Sequence, residues 1–469
     1  DARLKRHILN LPRIKYLANP QNADIVVGVA RKLINIDSAN YLIISDEQAP
    51  PSELITSLLL KGYRFNNPRV LERVQRPLPK HQQVSILVIT NLYPPQELGG
   101  YGRSIFDFVQ NLQALGHRLQ VLSSDSPYLG GDISNEPNVS RCLELLGSYN
   151  GKITVLSDPH ECQQILLKNK NAIEEVIALF QPDAALLGNL DMIGSDCIHQ
   201  LLKAGIPCWH HLGFSDPTML PFPANEVPNP GKGYFPIANS YYTARSIKPA
   251  LLGYSKIPVI YPGAQTHIYS DIRPAALGGK LNIAYAGLLI GAKGPHILLE
   301  SLTYLHSAKI PFQCEIAGDH LNTGFREDLI RFARENSILS KVFFLGRLDR
   351  DGLRSLFQRN QIFVFPSIWN EPFGISQVEA MAAGMLVVSS GTGGAGETVH
   401  DDINGRRFQA SNSSDLAKVL REIYSHPGEH EQLRIRGRQL AQSHFDTARS
   451  SRKLSDLILQ EISLGAEER

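Results

Sequence analysis

Ile362-Phe-Val-Phe365-Pro-Ser-Ile-Trp-Asn-Glu371-Pro-Phe-Gly374-Ile-Ser-Gln-Val-Glu379-Ala-Met-Ala-Ala383-Gly384 decides how this chain folds. Four apolar residues ending at a proline read as a short strand buried on both faces. Beyond Gly374 the pattern becomes helical through Ala383, and Gly384 stops it. A helix that opens after a glycine presents unpaired N–H groups and a positive dipole end, which suits a phosphate. Glu371 precedes the helix, and Glu379, eight positions later, falls about one turn inside it. Carboxylates at this spacing can bracket an anionic group at the helix start, one reaching sugar hydroxyls and the other a ribose diol.

The next strand, Leu386 to Val388, empties into Ser389-Ser-Gly391-Thr-Gly-Gly394-Ala-Gly396-Glu397. Four glycines in six residues let the backbone approach a ligand closely. Adjacent loops at the carboxyl ends of parallel strands are where doubly wound sheets bind ligands. Two tight turns with solvent-facing glutamates would explain each loop singly, but the pair of loops favours a site.

Further out, strands are predicted at Asn282–Ala286, Gln313–Ala317 and Val342–Leu345, with a helix carrying Leu298, Leu299, Leu302 and Leu305. An earlier stretch repeats this alternation. It has strands at Val84–Thr90, Leu119–Leu122, Ala184–Leu187, Pro207–His211, Pro236–Ala238 and Pro258–Tyr261, and a helix with Ile105, Phe106, Val109, Leu112 and Leu115. Alternating strands and helices predict an α/β fold of two doubly wound parallel-sheet domains. The expected organisation is an accessory α/β segment (1–80), an N-terminal Rossmann-like domain (81–264), a linker (265–280), a C-terminal Rossmann-like domain (281–445) and a helix (446–469) that can pack back on the first domain. In the first segment, Asp24–Gly28 and Tyr41–Ile44 look like strands and Glu53–Leu60 like a helix.

A length of 469 residues agrees with two cores. With 47 basic against 45 acidic residues, no global charge calls for nucleic acid. The five cysteines, Cys142, Cys162, Cys197, Cys208 and Cys314, lie far apart and show no zinc-ligand spacing, which fits free thiols in a reducing, cytoplasmic compartment. The chain begins with Asp rather than Met, as a fragment or processed form does. No apolar run approaches the ~20 residues of a membrane span. Arg3, Lys5, Arg6, Arg13 and Lys15 interleave with apolar residues. That pattern fits a solvated helix better than peripheral membrane contact, the alternative reading. Asn138-Val-Ser140 and Asn412-Ser-Ser414 read as chance matches to a glycosylation pattern.

Gly99-Gly100 after Tyr93-Pro-Pro95, Gly116-His117, Lys293-Gly294, Gly346-Arg347, Glu371-Pro-Phe-Gly374 through Glu379, and Gly393-Gly-Ala-Gly-Glu397 follow one another in order. In this the chain resembles the retaining glycosyltransferases of family 4, with the GT-B fold, over residues 84 to 445. The resemblance implies a nucleotide-diphosphate sugar, of uridine or guanosine type, held mainly by the C-terminal domain. It implies a glycan, lipid or small-molecule acceptor held mainly by the N-terminal one, with chemistry in the facing cleft. It also implies no cofactor and no metal, with positive charge and helix dipoles stabilising the leaving group.

By the same resemblance, Glu379 looks like the ribose carboxylate and Glu371 like the carboxylate near the donor sugar. Phe373, Gly374 and Ile375 resemble the donor loop, Lys293 the pyrophosphate lysine, and Arg347 and Leu348 the approach to the base. Gly394 and Glu397 are expected at the donor, and Gly99 and Gly100 at the acceptor or phosphate. Retention would follow from departure and attack on one face, with the leaving phosphate oxygen helping to deprotonate the acceptor.

Two departures stand out. The family usually places Gly-Arg before the donor-loop lysine, whereas this chain has Gly287-Leu288-Leu289. Either donor affinity is lower or another cation, such as Arg347, compensates. The family often carries a strand-end histidine, and Trp209-His210-His211 offers two, of which His211 sits nearer the strand end. Asp191 and Asp216 are further candidates for orienting acceptor hydroxyls. Alternative readings are a sugar-nucleotide epimerase, a phosphorylase, and a catalytically silent nucleotide-sugar-binding or scaffold domain of a larger protein. The first would not require an acceptor. The second needs a cofactor-lysine context that the sequence lacks. The third is favoured by Leu288 and opposed by the set Glu371, Glu379 and Lys293.

Overall fold

The computed structural model describes residues 14–16, 27–29, 77–98, 100–126, 136–149, 152–222, 226–318 and 323–467. The chain forms two compact units, Asp1–Leu71 and Glu72–Arg469. In the first, β1 (Ile14–Tyr16) and β2 (Val27–Val29) pair antiparallel, with Lys15 opposite Gly28. The strand expected at Tyr41–Ile44 and the helix at Glu53–Leu60 lie outside the described residues.

The second unit contains two six-stranded sheets, every pairing in them parallel. The first comprises β3 (Ser85–Ile89), β4 (Arg118–Ser124), β5 (Val139–Leu143), β8 (Ala184–Leu187), β9 (Cys208–Leu212) and β10 (Tyr234–Ala238). A small hairpin of β6 (Gly147–Ser148) and β7 (Thr154–Val155) stands apart from it. The second sheet comprises β11 (Leu281–Ala286), β12 (Phe312–Ala317), β13 (Val342–Gly346), β14 (Ile362–Phe365), β15 (Leu386–Ser389) and β16 (Arg406–Arg407).

The orders are β10-β9-β8-β3-β4-β5 and β13-β12-β11-β14-β15-β16. Each sheet therefore starts at a central strand, winds to one edge and returns to the other side. The winding reverses between β3 and β8, where Ile86 pairs with Ala184, and between β11 and β14, where Ile283 pairs with Ile362. Loops diverge at the carboxyl ends there, leaving a crevice on each sheet. The stretch that decides the fold follows β14, so it opens onto one of these crevices.

Alternation along β3 sorts its side chains onto two cores. Ile86 and Val88 pack with Ile105, Phe108 and Leu112 of α1 (Tyr101–Ala114). Leu87 and Ile89 pack with Ile173 of α2 (Pro159–Phe180) and Ile198 of α3 (Asp196–Lys203). A short helix, α4 (Tyr241–Ile247), follows β10. In the second sheet, Ile283 and Ile316 pack against Leu298, Leu302 and Leu305 of α5 (Pro295–Ser307). The remaining helices are α6 (Thr323–Glu335), α7 (Arg350–Arg359), α8 (Ile375–Ala382), α9 (Ser413–Ser425), α10 (Pro427–His444) and α11 (Thr447–Glu467).

The chain crosses between the domains twice, side by side. Ala264 N–H donates to Phe445 C=O at 2.8 Å, and Thr447 N–H to Ala264 C=O at 2.9 Å. Gly263 has φ +68°, and a Cβ there would stand 2.4 Å from the Phe445 carbonyl, so the crossing needs glycine. After the second crossing, α11 lies against α1, burying Leu454 and Ile458 in the first domain's core. His117 and Ser455 are hydrogen-bonded beneath it at 2.8 Å. The 265–280 segment, expected to be aperiodic, carries a 3-10 turn at Thr266–Tyr269 with Tyr269 fully buried. Pro258–Tyr261 contributes one bridge, Val259 to Ala238, in place of a strand. Sequence periodicity missed β5 because Val139-Ser-Arg-Cys-Leu143 is an edge strand whose polar residues meet solvent. Among the described residues no helix is long and apolar enough to cross a membrane.

Candidate active site

Lys293 ends a 3-10 turn (Gly291–Lys293) in the loop after β11. Gly294, at φ +69°, brings this turn so close to the loop after β14 that a Cβ would lie 2.0 Å from the Pro366 carbonyl. The two switch-point loops are thereby pressed together. The Lys293 ammonium donates to both Glu371 carboxylate oxygens, at 2.7 and 2.8 Å, and Ser367 Oγ donates to the same carboxylate at 2.6 Å. Glu371 is buried, so its charge relies on this fixed pair of donors. The Trp369 ring lies 6.0 Å from the ammonium, at the mouth of the cleft.

Gly374, at φ +90°, N-caps α8, and Gly374, Ile375 and Ser376 line the cleft where the helix exposes its unpaired amides. Phe373 is buried against Tyr261 and Phe445, with ring centroids 5.4 and 5.7 Å away, which fixes the turn into α8. Glu379, in the second turn of α8, accepts a hydrogen bond from Tyr269 Oη at 3.0 Å. Arg347 and Leu348 line the same cleft, and Arg347 lies 3.6 Å from Glu97 of the N-terminal domain.

The opposite wall comes from the first domain. Gly100 N-caps α1, and a Cβ there would be 3.0 Å from Ile375 Cδ1, so the starts of α1 and α8 face one another. Gly99 lies outside the described residues. His211 lines the cleft and donates through Nε2 to Ile260 C=O at 2.9 Å, whereas His210 turns away between Tyr234 Oη and Gly188 C=O. Burial lowers the His211 pKa to about 4, so its ring is neutral at pH 7 and serves as a hydrogen-bonding wall.

Several expected site residues sit elsewhere. Gly394 packs under the Glu371 loop: its N–H donates to Glu371 C=O at 2.6 Å, and a Cβ would meet the Pro372 carbonyl at 2.0 Å. Glu397 accepts from the N–H groups of Tyr241 and Tyr242 at 3.1 and 2.6 Å and from Tyr261 Oη at 2.9 Å. It thus caps α4 of the first domain, and neither Gly394 nor Glu397 lines the cleft. The glycine loop thus supports the Glu371 loop from behind. Asp216 caps a 3-10 turn through Thr218, and Asp191 bonds the Asn189 side chain, so neither reaches the cleft.

Sequence reasoning missed Arg103, Glu97 and Tyr269. Arg103 sits in the first turn of α1, 3.3 Å from Glu97 and, across the cleft, 3.8 Å from Glu379. Its sequence signal is one basic residue three positions after Gly100, which any solvated helix face could supply. Tyr269 lay in a segment without periodicity.

Residues 272–440 match the family model described as glycosyl transferases group 1. Glycogen synthase of Mycobacterium tuberculosis is 31% identical over 195 residues, covering 41% of this chain and 46% of that protein. D-inositol 3-phosphate glycosyltransferase of Mycolicibacterium smegmatis is 29% identical over 179 residues, covering 36% and 40%. The chain thus spans less than half the length of the curated relatives it matches. Sucrose-phosphate synthase of Thermosynechococcus elongatus superposes with TM-score 0.65 at 17% identity, covering 81% of this chain and all of that one. HepE of Anabaena, solved with UDP and glucose, superposes with TM-score 0.58 at 17% identity over 82% of this chain and all of that one. Residues 272–440 therefore match the glycosyltransferase group 1 model, within a chain of the GT-B fold.

Proposed function

We propose that the chain is a retaining, metal-independent hexosyltransferase that moves a sugar from a nucleoside-diphosphate sugar, of uridine or guanosine type, to an acceptor hydroxyl. The observation that carries this reading is the convergence, in one cleft, of the Lys293–Glu371 pair, Glu379 and the N-terminus of α8. Glu379 accepts hydrogen bonds from the ribose diol. Lys293 and the α8 amides take up charge as the diphosphate departs, the work a divalent ion does elsewhere. Glu371 holds Lys293 in place and faces the donor sugar, while neutral His211 offers a polar contact on the acceptor side.

In the reaction, the bond between the anomeric carbon and the β-phosphate oxygen breaks, and its electron pair stays on the phosphate. The acceptor oxygen bonds to the same face of that carbon, and its proton passes to the departing phosphate oxygen. A glycan, lipid or small-molecule hydroxyl would satisfy this chemistry.

The first test is thermal stabilisation by UDP, GDP, ADP and their sugar conjugates without added metal. A shift with one nucleotide, growing with concentration as mass action requires, is the expected result. If none of them shifts the transition, the reading is refuted, and the apolar Leu288 would favour a catalytically silent domain.

A further inference from the structure

We infer that Arg103, carried by α1 of the N-terminal domain, is the second cation that binds the donor's diphosphate, so that tight donor binding needs both domains. This assignment rests on the function proposed above and names a residue and a domain that it leaves out.

The donor-side loop supplies too little charge by itself. After β11 it presents Gly287 and Leu288 to the cleft, and Tyr285 Oη fixes the turn by donating to Leu288 C=O at 2.8 Å. Lys293 is the cation of that loop, and both Glu371 oxygens already engage it at 2.7 and 2.8 Å. Among the described residues lining the cleft, three carboxylates (Glu97, Glu371, Glu379) face three permanent cations (Arg103, Lys293, Arg347). A diphosphate brings further negative charge into this balanced set.

Arg103 has the geometry to meet it. Its side chain is mostly buried, 17% exposed, with the guanidinium between Glu97 at 3.3 Å and Glu379 at 3.8 Å. The second distance is an ion pair too long for a hydrogen bond. Its Nε–H is buried and finds no partner among the described residues. A guanidinium has five donors in a rigid fork that suits phosphate oxygens, and a buried donor left unpaired is costly. Gly100 also lets the start of α1 approach the start of α8, with a Cβ position only 3.0 Å from Ile375. Two positive helix ends opposed in one cleft repel until an anion lies between them. Arg103 stands in the first turn of α1, beside that point. When a ribose diol takes the Glu379 carboxylate, the edge of Arg103 facing the cleft becomes available to the phosphates.

The test is calorimetric binding of UDP, GDP and ADP, each beside its nucleoside, to the full chain and four variants: Arg103→Ala, Leu288→Arg, the two combined, and Asp107→Asn. Asp107→Asn breaks a different pair between the domains, Asp107 with Arg350 at 2.5 Å, and controls for loosened domain packing. Arg103→Ala is expected to weaken the preferred nucleoside diphosphate about tenfold or more and to change its nucleoside less than about threefold. Leu288→Arg in that background is expected to restore most of the loss, and Asp107→Asn to leave the diphosphate-to-nucleoside ratio unchanged. Unchanged diphosphate affinity in Arg103→Ala, or an equal loss for the nucleoside, overturns the assignment. A diphosphate-specific loss that Leu288→Arg does not reverse also overturns it, since the missing charge would then not be what matters. Failure of the unaltered chain to bind any of the three diphosphates is a different result, and it refutes the proposed function itself.

Discussion

Glu371 and Glu379 carry equal charges on one short segment, yet their surroundings give them different tasks. Glu371 is locked by Lys293 and Ser367, so it positions a cation more than it binds freely. Removing that cation by Lys293→Ala is expected to lower turnover about 100-fold or more, with a smaller change in donor affinity, because the charge matters most as the diphosphate leaves. Steady-state kinetics decide this, and wild-type kcat would dismiss the role. Glu379 faces Tyr269 and Arg103 with a carboxylate that also lines the cleft. Glu379→Ala is expected to weaken donor binding by about 1.5–3 kcal/mol, roughly tenfold to a hundredfold, and calorimetry would read the change directly. That Glu371 and Glu379 flank the start of one helix was legible in the sequence, because Gly374 between them marks where that helix begins. Arg103 was not, since its importance comes from what it meets across the cleft.

At the scale of elements, the site is held by loops that only glycine permits. Gly294 and Gly374 both adopt positive φ, +69° and +90°, and precede α5 and α8. At Gly374 the nearest atoms to a Cβ, at 3.0 and 3.1 Å, belong to the side chains of Gln377 and Phe365, which can shift. At Gly294 the obstacle is the Pro366 backbone carbonyl at 2.0 Å. Gly294→Ala is therefore expected to be the costlier change, by more than the ~1–3 kcal/mol of a strained residue alone, and to displace Lys293 from Glu371. Denaturant midpoints for the two variants, with turnover, test the order. The glycine loop after β15 shows what element-level reading leaves open. A run of glycines marks close approach, and here Gly393 and Gly394 approach the backbone of Glu371 and Pro372 in the same domain.

At the scale of the molecule, the C-terminal helix ties the second domain back onto the first. Ile458→Ala removes a fully buried side chain from that junction and is expected to cost about 2–5 kcal/mol, measured by denaturant unfolding. Buried histidines add a pH dependence. Burial lowers His117 to about 4, His210 to about 3, and His211 and His444 to about 4, from an ordinary 6.5. The unfolded chain takes up these protons at higher pH than the folded one. Their contribution is thus complete above pH 6.5 and is lost as pH falls through 4. Asp107 opposes this. Burial raises it to about 6 despite Arg350, so its share of stability shrinks as pH rises from about 4 to 6. Burial also lowers His296 and His400, and it raises Asp191, Glu397 and Asp456 as it does Asp107. Six lowered histidines against four raised carboxylates predict lower stability at pH 5 than at pH 7. His117→Gln should flatten that slope, and unfolding midpoints across the range check both.

By itself the sequence determined the alternation of strands and helices, the two parallel-sheet domains, and the placement of Glu371 and Glu379 on either side of one helix start. These follow from hydrophobic period, glycine position and spacing, which act over a few residues. Only the tertiary structure decided that Tyr269 reaches Glu379, 110 residues away, and that Glu397 caps a helix of the other domain, 155 residues away. It also decided that His211 and not His210 faces the cleft, and that Arg103 stands across it from Leu288. Such contacts depend on how two separate sheets are brought face to face, and no local pattern in either one records it.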